Sequence, residues 1–359
     1  MEIQARYVLL LLCLVVAACA SQHKIPIGKS TVFSVDTMVA PFIASPLTKG
    51  LSIATFQNGT TQFFNYGKIS DADQEAPTEN TIYEIGSITK TFTATVLAQM
   101  VAEGKVSLAD PISKYLPKDL VSWPADNPIT LLDLATHKSG LPRIPENMTA
   151  SYFKNIQNPY LHYSVEELYE FLKKYKPIPI ASRKVSYSNL GMGLLGHILT
   201  LIEQEKTFED LVRKRIFAPL KMSNSFIEDK EGRLIQGHDD KGKVTSQWDL
   251  PTLAGAGAIR SNTADMVRYG VAQMHEDLYS KGAHEPREDY DDKQKIGLAW
   301  MLTHDPVGDF EIVWHTGGTG GFRSFLGFSK EKEILVVILN NSTQSVDFLG
   351  VEILRGLAK

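Results

Sequence analysis

The chain has 359 residues, 43% of them hydrophobic and 22% charged, with a formal net charge of -4 at pH 7. That composition supplies ample apolar material for a large core. It holds no long basic block, so nucleic-acid binding has no electrostatic support.

Residues 1–18 read as a targeting segment rather than as part of the fold. Tyr7 to Ala18 is almost wholly apolar, short for a bilayer span and the right length for the apolar core of a signal peptide. It ends Val16-Ala17-Ala18-Cys19-Ala20-Ser21, which resembles a bacterial lipobox, with Cys19 as the lipidated mature N-terminus. The alternative is a plain signal peptide cut near the same small residues. Ala20 after the cysteine, in place of aspartate, points to the outer membrane if the cell is Gram-negative. Cys13 and Cys19 both fall in this segment. The remainder therefore has no disulfide framework, no cysteine zinc site and no thiol nucleophile.

Residues 19–30 read as a tether. Val35, Met38, Val39, Phe42 and Ile43 then form a helical stripe. Leu51 to Gln57 and Thr60 to Tyr66, joined by Asn58-Gly59, predict a hairpin, because Asn-Gly supplies the positive φ angles of a two-residue turn. Helices are expected over Ile88–Glu103, closed by Gly104, and over Ile129–Thr136, Val165–Tyr175, Leu190–Glu203, Phe208–Ile216 and Ala264–Met274. The charged stretch His275–Lys295 reads as an exposed loop. Phe310–Trp314, Phe322–Phe328 and Ile334–Asn340 read as strands, and Val346–Leu357 as a closing helix. Strands at both ends around a helical middle predict an α/β (α+β) fold: a largely antiparallel sheet built from both chain ends, flanked by helices. The expected organisation is one domain over 31–359, with an α/β lobe (31–82 and 250–359) and a mostly helical lobe (83–249).

Four Ser-x-x-Lys matches occur, at Ser21, Ser87, Ser151 and Ser329. Only Ser87-Ile88-Thr89-Lys90 opens a predicted helix, which places lysine and serine on one face a turn apart. A serine hydroxyl needs such a neighbour to become nucleophilic at neutral pH. Two further motifs follow in order, Tyr187-Ser188-Asn189 and His315-Thr316-Gly317. The three together resemble the penicillin-recognising serine hydrolases, whose other versions read Ser-x-x-Lys, Ser-Asp-Asn and Lys-Thr-Gly. Within them the chain looks like the branch of class C β-lactamases, related D-alanyl-D-alanine peptidases and some esterases. Gly104–Pro111, Leu131–Pro142 and Ala254–Ser261 extend the likeness over nearly the whole mature chain.

That resemblance implies a β-lactamase/transpeptidase-like fold and an acyl-enzyme on Ser87. It implies an oxyanion site from the backbone N–H groups of Ser87 and Gly318, and substrate binding along His315, Thr316, Gly317 and Gly318, where the two glycines let the strand approach the substrate closely. Lys90 and Tyr187 handle protons; either Lys90 or a tyrosinate at 187 could be the general base. Asn189 is expected to hydrogen-bond a substrate amide or, alternatively, to cap the helix starting at Leu190. His315 departs from the lysine of class C β-lactamases and puts efficient lactam hydrolysis in doubt. Arg323 either restores the missing charge or is a surface arginine. The other histidines, including His137 and His197, show no metal-ligand spacing and read as structural, so neither a metal nor an organic cofactor is expected.

The leading expectation is an envelope serine hydrolase acting on D-Ala-D-Ala-type peptidoglycan peptides. Alternatives are a class C-type β-lactamase, a carboxylesterase, and a penicillin-binding sensor without turnover. The partners expected are a peptide, β-lactam or ester small molecule and, through Cys19, a membrane.

Overall fold

The computed structural model describes residues 33–70, 74–275 and 280–359. The expected signal peptide and tether, with Cys19, lie outside these residues. The elements in chain order are α1 (Val35–Ile43), β1 (Gly50–Gln57), β2 (Thr60–Gly67), β3 (Tyr83–Glu84), α2 (Thr89–Ala102) and α3 (Leu131–Ala135). They continue with α4 (Thr149–Lys154), α5 (Val165–Lys174), α6 (Asn189–Glu203), α7 (Phe208–Val212), β4 (Arg260–Ser261) and α8 (Thr263–Met274). The chain closes with β5 (Glu288–Asp289), β6 (Gln294–Ile296), β7 (Met301–Asp305), β8 (Phe310–Gly318), β9 (Arg323–Ser329), β10 (Ile334–Asn340) and α9 (Asp347–Leu357).

Eight strands make one antiparallel sheet in the order β2-β1-β10-β9-β8-β7-β6-β5, as expected for a sheet drawn from both chain ends. The β1–β2 hairpin turns at Asn58 (φ 51°) and Gly59 (φ 75°), both in the left-handed region. Strand β10, Ile-Leu-Val-Val-Ile-Leu-Asn, is buried at every position. A strand covered on both faces has no reason to alternate polar and apolar residues. Gly270 of α8 lies over Leu335 and Leu326 on one face, while Gly350 of α9 receives the Phe325 ring on the other. Helices α8 and α9 thus sandwich the sheet.

Sequence signals explain most helix starts. Thr130 with Asp133 and Ser164 with Glu167 form reciprocal capping boxes at α3 and α5. Asn262 caps α8 by accepting the Asp265 N–H. Three expectations need correction. The stretch 275–295 is not simply an exposed loop: it carries β5 and β6, and Ala283 and His284 are buried. The strand expected over Phe310–Trp314 runs on to Gly318, because Thr316–Gly318 pair with Arg323–Phe325. The helix expected over Phe208–Ile216 is α-helical only to Val212 and widens into a π-turn over Arg213–Phe217.

Candidate active site

Helix α2 runs through the centre of the protein. Eleven of its residues are buried, four of them threonines. Those hydroxyls are satisfied inside the fold: Thr91 and Thr95 meet the Tyr269 phenol at 3.0 Å each, and Thr93 donates to the Gly255 carbonyl. A helix buried on all sides fixes its first turn rigidly. That turn is preceded by a 3-10 turn, Gly86–Ile88, which carries Ser87.

Lys90 is wholly buried, and its Nζ reaches three oxygens: Ser87 Oγ (2.9 Å), Asn189 Oδ1 (2.9 Å) and the Ala256 carbonyl (2.7 Å). Nζ also lies 4.7 Å from the Tyr187 ring centroid. Burial, and then the Arg143 charge, hold the Lys90 amine well below the ordinary lysine value. The Tyr187 phenol lies beside Ser87 in the same cleft. Burial pushes it above the ordinary tyrosine value, and the neighbouring Ser87 hydroxyl and Arg143 charge oppose that only in part. The two groups around the serine are therefore displaced in opposite senses, the amine toward its neutral form and the phenol toward its protonated form.

Asn189 bridges Lys90 and the Tyr160 hydroxyl, to which its amide donates at 2.9 Å. It is the first residue of α6, and the cap is Ser188, whose Oγ accepts the Gly191 N–H at 2.8 Å. The capping alternative for Asn189 is thus corrected. The hydroxyl one residue earlier has the reach to the third helical N–H, which leaves the amide free to face Lys90. His137 is buried, with its ring 4.6 Å from that of Tyr187, and its Nδ1 accepts the Ser188 N–H at 3.2 Å. It braces the Tyr187–Asn189 turn, a structural role. His197 likewise pairs with the Tyr169 hydroxyl. No cluster able to hold a metal ion occurs among the described residues.

The third segment arrives on β8. His315 is buried, and its Nδ1 lies 2.6 Å from the Thr316 carbonyl. A carbonyl can only accept, so Nδ1 carries the proton and Nε2 the lone pair. Burial, and then the Lys90 charge, bring the imidazole down to about 3. A histidine here is neutral at physiological pH and does not replace a lysine's charge. Gly317 passes so close to the Ile85–Ser87 turn that a Cβ there would lie 2.0 Å from the Ile85 carbonyl and 2.3 Å from Ser324 Oγ. Gly86 meets Gly318 in the same way. Backbone cannot yield as a side chain can, so Gly317→Ala is expected to lower stability by about 1–3 kcal/mol. If the Gly318 N–H serves an acyl-enzyme as the resemblance implies, Gly317→Ala should also slow acylation at least about tenfold by displacing that donor. Thermal melts and burst kinetics read the two effects, and an unchanged acylation rate contradicts the second.

Ser87, Tyr187, His315, Thr316, Gly317 and Gly318 all line one cleft of about 580 Å³, together with Arg143, Trp248, Tyr290, Trp314, Arg323 and Asp347. Lys90 and Asn189 lie behind its wall. Sequence reasoning missed Arg143, whose guanidinium carbon sits 5.0 Å from the Tyr187 ring centroid. It also missed Glu84, a buried β3 carboxylate that accepts the Trp248 N–H at 2.7 Å and so anchors the Trp248 wall.

Burial pushes the Glu84 carboxyl up to about 7, against the Trp248 bond and the Arg260 charge. Its folded value exceeds the unfolded 4.5, so the folded chain keeps a proton that the unfolded chain has lost across that window. Stability therefore falls as pH rises from the lower value to the higher, by on the order of 3 kcal/mol. Glu84→Gln keeps an acceptor for Trp248 and removes the titration. Its Tm should exceed that of the parent near pH 8, with the gain shrinking toward pH 5. A gain of equal size at both pH values contradicts this account.

A mixed sheet-and-helix fold in which a buried lysine meets a serine at a cleft that a tyrosine also lines has the elements of a serine hydrolase. Comparison with known proteins agrees with that class. The sequence profile of the family described as Beta-lactamase matches residues 35–358. A β-lactamase of Pseudomonas fluorescens is 29% identical over 347 residues, spanning 86% of this chain and 92% of that one. The D-alanyl-D-alanine-carboxypeptidase/endopeptidase AmpH of Escherichia coli (strain K12) is 26% identical over 306 residues, spanning 79% of this chain and 77% of that one. A solved class C β-lactamase superposes with a TM-score of 0.77 at 25% identity, covering 90% of this chain and 94% of that one. The chain belongs to the β-lactamase family.

Proposed function

We propose that the chain is an exported serine hydrolase that acylates Ser87 and hydrolyses an amide, with D-Ala-D-Ala-type peptidoglycan peptides as the substrate. The single observation that supports this best is the contact of Lys90 Nζ with Ser87 Oγ at 2.9 Å, in a cleft that also holds Tyr187 and the Gly317–Gly318 strand.

In this reading Lys90, held toward its neutral form, takes the Ser87 proton as Oγ attacks the carbonyl carbon. The N–H groups of Ser87 and Gly318 receive the oxyanion, each such donor contributing on the order of 3 kcal/mol to the barrier. Tyr187, held in its protonated form, donates to the leaving nitrogen and is reprotonated from Lys90. Asn189 orients Lys90 and meets a substrate amide, and Thr316 lines the strand against which the substrate lies. Water then releases the acyl group.

A second reading, a class C-type β-lactamase, is favoured by the names of the relatives; the neutral His315 weighs toward the peptidase. The two differ in deacylation. A β-lactamase turns over nitrocefin repeatedly. The peptidase reading expects one long-lived penicillin adduct together with catalytic release of D-alanine from a D-Ala-D-Ala peptide. Rapid nitrocefin turnover without D-alanine release sinks the peptidase reading.

We also place the protein at the envelope through a lipid on Cys19, motivated by the Val16–Ser21 sequence. The parent should partition into detergent phase and Cys19→Ser into the aqueous phase; equal partition contradicts the anchor.

A further inference from the structure

Three cationic side chains border or underlie the cleft, and two of them are already engaged. Lys90 is buried among three oxygens. Arg323 Nη1 donates to the carbonyls of Thr319 (2.9 Å) and Phe322 (2.8 Å), so it ties the β8–β9 turn, and its charge faces that of Asp347. Asp347 is the one carboxylate among the described residues lining the cleft. Residue 315, where a related enzyme would carry a cation, is a buried neutral imidazole.

Arg143 is different. It is exposed, it borders the cleft beside Ser87 and Tyr187, and it forms no ion pair among the described residues. Its position is nevertheless fixed. The Arg143 carbonyl accepts the N–H groups of Asn189 (2.9 Å) and Leu190 (3.1 Å), which fastens its backbone to the first turn of α6. Its guanidinium lies over the Tyr187 ring, an attractive arrangement that also limits its rotamers.

We propose that Arg143 is the specificity residue of this site, and that it receives a carboxylate or similar planar anion on the substrate that Ser87 attacks. The proposal rests on the reading of Ser87 as the nucleophile. A guanidinium offers a fork of donors matched to a carboxylate, and a fork fixed in advance loses little freedom on binding. The position also couples binding to chemistry. Arg143 is the charge that helps hold Lys90 low, so an anion bound there offsets it and leaves Lys90 a stronger base in the complex than in the free enzyme.

The test uses the full chain and a matched pair of esters, the mono-4-nitrophenyl ester of adipate and its methyl ester. In each the Ser87 Oγ–acyl bond forms, the aryl ester bond breaks and nitrophenolate leaves; the two differ in one negative charge and the methyl group that masks it. The readout is the ratio of kcat/KM for the anionic over the neutral ester, with acylation followed in parallel by intact mass. In Arg143→Gln the ratio should fall roughly tenfold to a hundredfold, the range for a hydrogen bond to a charged group. Arg143→Lys should retain part of it. Added salt should lower the ratio in the parent and leave it flat in Arg143→Gln. A ratio unchanged by Arg143→Gln overturns the proposal while leaving Ser87 acylation standing. Failure of the parent to be acylated by either ester overturns the nucleophile reading and this proposal with it.

Discussion

Ser87→Ala is expected to abolish turnover of every amide and ester substrate, lowering kcat/KM by on the order of 10⁴-fold or more. The reasoning is geometric. Ser87 Oγ lies 2.9 Å from the Lys90 amine and shares its cleft with Tyr187, so removing it leaves two proton carriers with no nucleophile between them. The fold should survive. Ser87 is only half-buried, on a short turn held by the backbone contacts of Gly86 and Gly317. A Tm close to that of the parent, with turnover lost, separates chemistry from folding. Retention of more than about one per cent of kcat/KM places the nucleophile elsewhere, since the alternatives to covalent attack supply far less rate.

The second large effect separates the two proton carriers. Lys90→Met preserves much of the buried volume and removes the amine. It should slow acylation by roughly 10²–10⁴-fold, the usual contribution of general base catalysis, for amides and activated esters alike. Tyr187→Phe preserves the ring against His137 and removes only the hydroxyl. Its cost should depend on the leaving group. An amine must be protonated to depart, so amide substrates should lose as much as Lys90→Met does. A nitrophenolate departs unaided, so 4-nitrophenyl esters should lose far less. The opposite pattern, esters failing in Tyr187→Phe and surviving in Lys90→Met, makes Tyr187 the base.

The pattern of the sequence carried much of this. Ser87 and Lys90 share a helical turn, so their pairing follows from spacing. Asn58-Gly59 announced its hairpin, and the antiparallel sheet from both chain ends was legible in short apolar runs separated by turn residues. What stayed hidden has physical reasons. Tyr187 and His315 converge on Ser87 across long stretches of chain, and only a resemblance to known motifs could join them. The apolar run of β8 ends at Trp314, so only the resemblance put the 317–318 glycines on a strand, where their backbone pairs with β9. Strands β5 and β6 are short and polar at a sheet edge, where hydrogen bonding needs no apolar alternation. The charge of residue 315 depends on burial, and burial is a tertiary property. Arg143 carries no motif at all, and only the fold of the 137–145 segment against α6 sets it over Tyr187. The choice between Ser188 and Asn189 as cap turned on which side chain had a better partner elsewhere, and Lys90 supplied it.

One measurement addresses the central claim most directly: peptide mapping by mass spectrometry after brief labelling with a fluorophosphonate, which phosphonylates an activated serine whatever the natural substrate is. The account predicts a single adduct, on the peptide that carries Ser87, slowed in Lys90→Met and absent in Ser87→Ala. No adduct on the active parent, or an adduct on another residue that persists in Ser87→Ala, contradicts it.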